Sequence, residues 1–430
     1  MPEKAHILES LESNRSTPVL QHLYGNRPAQ IARQRERYKA LIHHFSDLFP
    51  QARDIQLFSV PGRSEVGGNH TDHNAGRVLA AAVDLDVIAA AVKEDRPVVK
   101  LYSEGYPPSV VDLVDLSMVE AERNTSTALI RGVCARMAEL GYQVGGFSAY
   151  ASSEVLKGSG LSSSAAYEIL VAIILSHLYN QGRLDPILAA QIGQYAESHY
   201  FGKPCGLMDQ TTCAVGGFVT IDFKDASHPE VRKVDFDFSS SGYSLVIVDT
   251  GGNHADLTDE YAAVAREMKS VAAALGKTVL RECTQEQVIA AIPQLRGKVS
   301  DRGILRALHF FQDDQRVVEQ VDALEKGQFD RFLSLVVASG ISSWTLNQNV
   351  YASRNVHEQG VSLALAVSET LLKGRGAWRV HGGGFAGTMQ AFVPNDLLGL
   401  YVKRMKSIFG LSSCYELSIR PAGGIRVDLD

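Results

Sequence analysis

Cysteine is scarce in this sequence. There are five, Cys134, Cys205, Cys213, Cys283 and Cys414, an odd number with no C-x-x-C pair. That argues against a disulfide framework and fits the reduced thiols of a cytoplasmic protein. Long apolar runs are missing as well: the longest, Ile169 to Leu175, is far too short to span a bilayer. The opening stretch MPEKAHILESLESNRS has no apolar segment of the kind a secretory signal needs. No internal repeat, low-complexity tract or clear linker interrupts the chain. An excess of positive charge is lacking too. The formal net charge is -6, which speaks against a general nucleic-acid or anionic-membrane surface, although a local basic pocket could still hold a phosphate. No nucleic acid and no membrane is expected among the partners.

What is present is a chain of 430 residues, 45% hydrophobic and 21% charged, enough to bury a sizeable core in two domains. The polar segment Lys224 to Ser241 is the best place for a boundary, giving expected domains 1–235 and 236–430. Residues 29–49 carry Ile31, Tyr38, Leu41, Ile42 and Phe45 at helical spacing. Residues 55–63 read as a strand ending at Pro61-Gly62, and 77–95 as apolar strands. Further strands are expected at 97–105, 146–155, 216–223 and 243–252. Helices are expected at 125–140, 186–201, 256–275 and 313–324, and 156–175 reads as a strand end, a glycine loop, a serine-rich helix start and a buried helix.

Three stretches carry chemistry. In Gly158-Ser159-Gly160-Leu161-Ser162-Ser163-Ser164, glycines let the backbone wrap a ligand and serines open a helix. Free N–H groups and the positive dipole end favour an anion there, and a phosphate chain fits. The plainer reading is a serine N-cap on a core helix. The Walker A and Rossmann patterns are both excluded, for want of Gly-Lys-Ser/Thr and of a glycine at Ser163. In GKPCGLMDQTTCAVGG, Asp209 could cap a helix or act as a base, and Glu197 lies upstream in AESHYFG. In HGGGFAG, residues 381–387, the glycines mean either a tight turn or close approach of a ligand. A fourth stretch, GGNHTDHNAG, packs His70, Asp72 and His73 between glycines and could be read as a metal site. No further His/Asp cluster with ligand spacing supports that reading.

The order PGR…HTDHN, KGSGLSSSAA, CGLMDQ, GGGFAG resembles the GHMP small-molecule kinases, and within them the galactokinase family, from about residue 30 to the C-terminus. The resemblance implies an α+β fold of two domains, the first like ribosomal-protein S5 domain 2 and the second ferredoxin-like. It implies transfer of phosphate from ATP to the anomeric hydroxyl of a sugar. On that likeness Gly158, Ser159, Gly160, Leu161, Ser162, Ser163 and Ser164 would hold the ATP phosphates, and Ser103 would touch the nucleotide. Ser164 and Glu197 would ligate Mg²⁺, which prefers oxygen donors. Asp209 would be the catalytic base and Arg63 its partner, stabilising charge on the moving phosphoryl. Asn69, His70, Thr71, Asp72 and Tyr261 would bind the sugar.

Two positions depart from the family pattern: Asn69 stands where the family has Glu, and His381 where it has Thr. In the family that Glu reads the C6 hydroxyl. With an amide there, galactose remains the expected substrate, with galacturonate, arabinose or N-acetylgalactosamine as alternatives. A non-catalytic sugar sensor is the rival of another class, but the serine-rich loop, Glu197 and Asp209 are all intact. The expected partners are a small sugar and ATP, with the chain a monomer or weak homo-oligomer.

Overall fold

The computed structural model describes residues 4–155, 160–203, 205–225, 228–252 and 257–429. The chain divides into two compact units. One comprises residues 1–63, 82–217 and 420–430, the other residues 64–81 and 218–419. This partition differs from one boundary at residue 235. Strand pairing accounts for the difference. Arg77–Ala81 pair antiparallel with Phe218–Asp222, which draws 64–81 into the second unit. Leu57–Ser59 pair with Ile425–Val427, which draws the C-terminus into the first.

In the first unit the strand order is Ile425–Val427, the part of Gln56–Gly67 up to Arg63, the part of Arg77–Lys93 from Ala82 on, Phe147–Ser153, Val98–Ser103 and Ser109–Asp112. The expected apolar strands at 77–95 are one continuous 17-residue strand. The helix Pro28–Leu48 lays Tyr38, Leu41, Ile42 and Phe45 against Leu57, Ile88, Ala90 and Val427, as its apolar spacing requires. Beneath it, fully buried Asp86 accepts from Tyr24, Arg37 and Arg420, so the buried charge is paired and hydrogen-bonded. The helix Ser163–Tyr179 is apolar nearly all round, and most of its side chains are buried. The helical pattern at 186–201 splits into an α-helix, Pro186–Tyr195, and a π-turn, Ala196–Phe201, that carries Glu197. Such turns gather at functional sites.

In the second unit, strands Tyr243–Asp249, Ala377–Val380, Thr388–Pro394 and Cys414–Leu417 form an all-antiparallel sheet. In chain order from the first, the sheet runs fourth, first, third, second. With the helices after the first and third strands, this is the β-α-β-β-α-β ferredoxin-like pattern that the resemblance implies. The helix Asp301–Glu325 begins well before the expected 313 and brings His309, Asp313 and Asp314 onto its buried face. HGGGFAG is the connection between two strands, so its glycines shape a strand–loop–strand turn.

Candidate active site

The first unit assembles most of the expected phosphate and base residues. Arg63 ends the part of its strand that belongs to this unit. Its Nε and Nη2 both lie 2.7 Å from Asp209 Oδ1. Its Nη1 donates to the carbonyl of Gly160, and its backbone N–H donates to that of Leu161 at 3.0 Å. One arginine therefore fixes both the base candidate and the phosphate loop. The other Asp209 oxygen accepts from Ser162 Oγ. Asp209 lies in the first turn of the helix Met208–Val215, where its carboxylate goes to these partners rather than to a cap. Burial pushes its carboxyl up, but Arg63, by charge and hydrogen bond, and Ser162 hold it below the ordinary carboxylate range.

Ser162 occupies the N-cap position of the helix Ser163–Tyr179 with φ 60° and makes no side-chain cap bond. A left-handed backbone is uncommon for serine. Because its hydroxyl turns to Asp209, it does not satisfy the free N–H groups at the helix start, and these remain suited to an anion. The plainer N-cap reading of the serines fails at this residue. Leu161 is fully buried, so only its main chain can serve a ligand. Ser103 closes the strand Val98–Ser103, which pairs with the strand leading into the loop. Gly158 and Ser159 lie outside the described residues.

Ser164 Oγ donates to Glu197 Oε1 at 2.9 Å, which brings the two expected metal ligands together. Two neighbours complete the group. Lys203 Nζ donates to the same Oε1 at 2.9 Å, and Gln210 Nε2 donates to Oε2 at 2.8 Å. Gln210 Nε2 also reaches Glu168 Oε2 at 3.0 Å. Burial, then the charge of Glu197, pushes the Glu168 carboxyl well above the ordinary range. A hydroxyl and a carboxylate, with a cation already drawn to them, form a donor set suited to a hard ion that completes its shell with phosphate oxygens and water. Neither Lys203, Gln210 nor Glu168 was expected. Gln210 follows Asp209 directly and Lys203 stands six residues before it, so their place in the motif was the available signal.

The second unit holds the expected sugar residues. Gly68, with φ +80°, has no room for a side chain, since a Cβ would meet Arg77 O at 2.3 Å. This tight turn carries Asn69 inward. Asn69 is fully buried. Its Nδ2 donates to Glu65 Oε1 and Gly382 O, both at 2.9 Å. Its Oδ1 accepts from Asn349 Nδ2 at 2.8 Å and Ser343 Oγ at 3.2 Å. An amide can make four hydrogen bonds, so this one is saturated. Its backbone is fixed as well, by Asp313 and His309. Glu65 in turn meets buried Arg379 at 3.0 Å. Glu65 lies beyond the expected strand, which stopped at Arg63, and nothing in the sequence singled it out.

His70 adopts φ 62° and its Nε2 meets Gly383 O at 3.0 Å. Burial, then nearby His73, pushes its pKa down to about 3. Thr71 Oγ1 donates to the carbonyls of Gly68 and Arg77. Tyr261 donates to Gly384 O at 2.9 Å, and a Cβ on Gly383 would meet its ring at 2.3 Å. Burial pushes the Tyr261 hydroxyl up to about 12. Asp72 keeps a partly exposed carboxylate, 24% accessible, with His73 Nδ1 at 3.8 Å. His381 Nδ1 meets Thr388 Oγ1 at 3.0 Å. Among the described residues, no three His, Cys, Asp or Glu side chains converge as a metal site. Nor, among them, is any helix long and apolar enough to cross a membrane.

Residues 128–217 match the GHMP kinases N terminal domain, and residues 43–93 the galactokinase galactose-binding signature. A galactokinase of Streptomyces coelicolor is 30% identical over 376 residues, covering 86% of this chain and 93% of that one. A crystal structure of Lactococcus lactis galactokinase complexed with galactose superposes with a TM-score of 0.76 at 25% identity, covering 90% of this chain and 99% of that one. Methanococcus jannaschii mevalonate kinase shares the fold, with a TM-score of 0.61 at 14% identity over 86% of this chain and 99% of its own. The chain belongs to the galactokinase family of GHMP kinases.

Proposed function

We propose that this enzyme transfers the terminal phosphoryl group of ATP to the anomeric hydroxyl of galactose, giving galactose 1-phosphate and ADP. The observation that carries the reading is the single carboxylate of Asp209, which joins Arg63 on one oxygen to Ser162 of the phosphate loop on the other. A base held ionised beside a phosphate-binding helix start is what phosphoryl transfer to a hydroxyl requires. Asp209 accepts the proton of the sugar hydroxyl. Arg63 keeps that carboxylate charged and stabilises negative charge on the transferring group. Gly158 to Ser164, with Ser103, hold the nucleotide. Ser164 and Glu197 hold Mg²⁺, which when bound offsets phosphate charge.

On the sugar side, His70, Thr71, Asp72 and Tyr261 form the grip, with Asp72 supplying a charge-assisted contact to ring hydroxyls. Asn69 acts in it as the brace that ties Glu65 to the glycine loop. The sugar and ATP are the partners on this reading, and the chain is a monomer or weak homo-oligomer. All five cysteines are free, which supports a cytoplasmic setting.

The test is a coupled ADP-release assay with galactose, galacturonate, arabinose, N-acetylgalactosamine and glucose, with and without Mg²⁺. Galactose should give the highest kcat/KM. A higher value for another sugar would replace the substrate, and no sugar-dependent ADP release at all would end the kinase reading.

A further inference from the structure

Lys203 is not among the residues that the resemblance assigns to the site, yet it enters the metal-ligand pair directly. Its Nζ and Ser164 Oγ each lie 2.9 Å from the same oxygen, Glu197 Oε1. The ammonium is therefore within about 5.8 Å of a hydroxyl in the first turn of the helix Ser163–Tyr179. That helix start has free N–H groups and the positive end of a 17-residue dipole. Main chain holds the lysine in place. The N–H groups of Gly202 and Lys203 both donate to Glu197 O, at 3.1 and 3.0 Å, across a turn that Gly202 permits with φ +90°. The side chain is otherwise loose: Lys203 is 59% accessible, whereas Glu197 is 3%.

This contrast suggests a side chain with two stations. Glu197 is almost wholly buried, and the ammonium offsets its charge. Once Ser164 and Glu197 ligate a divalent cation, an ammonium on the same oxygen meets like charge at close range. Four methylenes and an exposed head let it leave. A phosphate chain at the helix start would then offer it a new anion, beside the Asp209 carboxylate whose charge already acts on it.

Resting on the ATP-binding reading above, we propose that Lys203 is a further nucleotide ligand, which turns from its 2.9 Å pairing with Glu197 to the ATP phosphates when nucleotide and metal bind. Lysine suits this role, being a flexible point charge with three donors. A surface lysine that only neutralised Glu197 would leave nucleotide affinity untouched when removed.

The experiment uses the full-length protein and isothermal titration with MgATP, and separately Mn²⁺ alone followed by its electron spin resonance signal. The proteins are wild type, Lys203→Met and Lys203→Arg, with thermal midpoints recorded for each. Lys203→Met should weaken MgATP binding at least about tenfold, about 1.4 kcal/mol, and Lys203→Arg should recover most of it. Mn²⁺ without nucleotide should bind Lys203→Met at least as tightly as wild type, because a competing cation has gone. MgATP affinity equal in wild type and Lys203→Met would overturn the inference and leave the kinase reading standing. Weaker Mn²⁺ binding by Lys203→Met would overturn it too, by making Lys203 a support of the metal pair. If wild type itself bound no MgATP, the nucleotide-site reading would fall, and this inference with it.

Discussion

Arg63 and Asp209, 146 positions apart in the chain, meet through two nitrogens at 2.7 Å from one carboxylate oxygen. The second oxygen accepts from Ser162 and, on the proposed mechanism, takes the proton of the sugar hydroxyl. Replacing Asp209 by Asn keeps the shape and removes the base. Asp209→Asn should retain nucleotide and sugar binding and lose roughly 10²–10⁴-fold in kcat, the usual worth of a general base. Steady-state kinetics with titration of both ligands checks this. A kcat near that of wild type would remove Asp209 from its role.

The partner residue gives a separate, pH-dependent prediction. Burial acts on Asp209 to raise its pKa, and Arg63 is the largest influence opposing it. In wild type the carboxylate is therefore ionised down to below about pH 3.9, the ordinary value. Its favourable pairing contributes stability above that value, which is lost as the pH falls through the lower folded value. In Arg63→Gln burial is opposed chiefly by Ser162, and the Asp209 pKa should rise. The acid limb of kcat/KM for the residual activity should then move to higher pH than in wild type. Matching acid limbs would mean that Arg63 does not set the charge of the base.

Asn69 is the departure from the family pattern most exposed to test. Glutamate at 69 would place a second carboxylate against Glu65, which now sits 2.9 Å from the amide nitrogen. It would also remove the donor to Gly382 O. Arg379 already pairs with Glu65 at 3.0 Å and also acts on Asp313, so one arginine would have to serve a further carboxylate. Asn69→Glu should therefore destabilise the fold by about 2–4 kcal/mol, read as the midpoint of urea unfolding. Unchanged stability together with a higher galactose-to-galacturonate ratio of kcat/KM would show instead that the side chain turns out toward C6.

How much of this was legible in the sequence depends on the range of each interaction. The helix at 28–48 and the serine-opened helix follow from local periodicity and capping chemistry, and the structure has them within a few residues; the strand expected to end at Pro61-Gly62 instead runs through them to Gly67. The division of the chain was not legible. It rests on pairings such as Leu57 with Val427, which no local pattern announces. The pairing of Ser164 with Glu197 came from the family resemblance, not from their separation of 33 residues. The saturation of Asn69 needed Asn349, Ser343 and Gly382, all more than 270 residues away. Lys203 and Gln210 lay within the motif. Their meaning depends on the π-turn that sets Glu197 between them, and helical spacing alone gives no sign of that turn.

Glu168 offers a test that does not depend on turnover. It is fully buried, shares the Gln210 amide with Glu197, and has a carboxyl held well above the ordinary range by burial and by the charge of Glu197. Its Oε1 and the Oε1 of Gln210 are both buried with no hydrogen-bond partner among the described residues. The unfolded chain ionises this group above about pH 4.3, while the folded chain keeps it protonated, so folding takes up a proton. Stability from this group is thus full below the unfolded value and is lost as the pH rises toward the folded one. Glutamine at 168 is neutral at every pH, can still accept from Gln210 Nε2, and supplies an amide where the acid had its proton. Urea unfolding of wild type and Glu168→Gln at about pH 5 and about pH 8 should show the variant gaining on wild type as the pH rises. Curves that stay parallel across that range would mean that Glu168 is ionised in the folded protein, and that Gln210 separates two charged carboxylates.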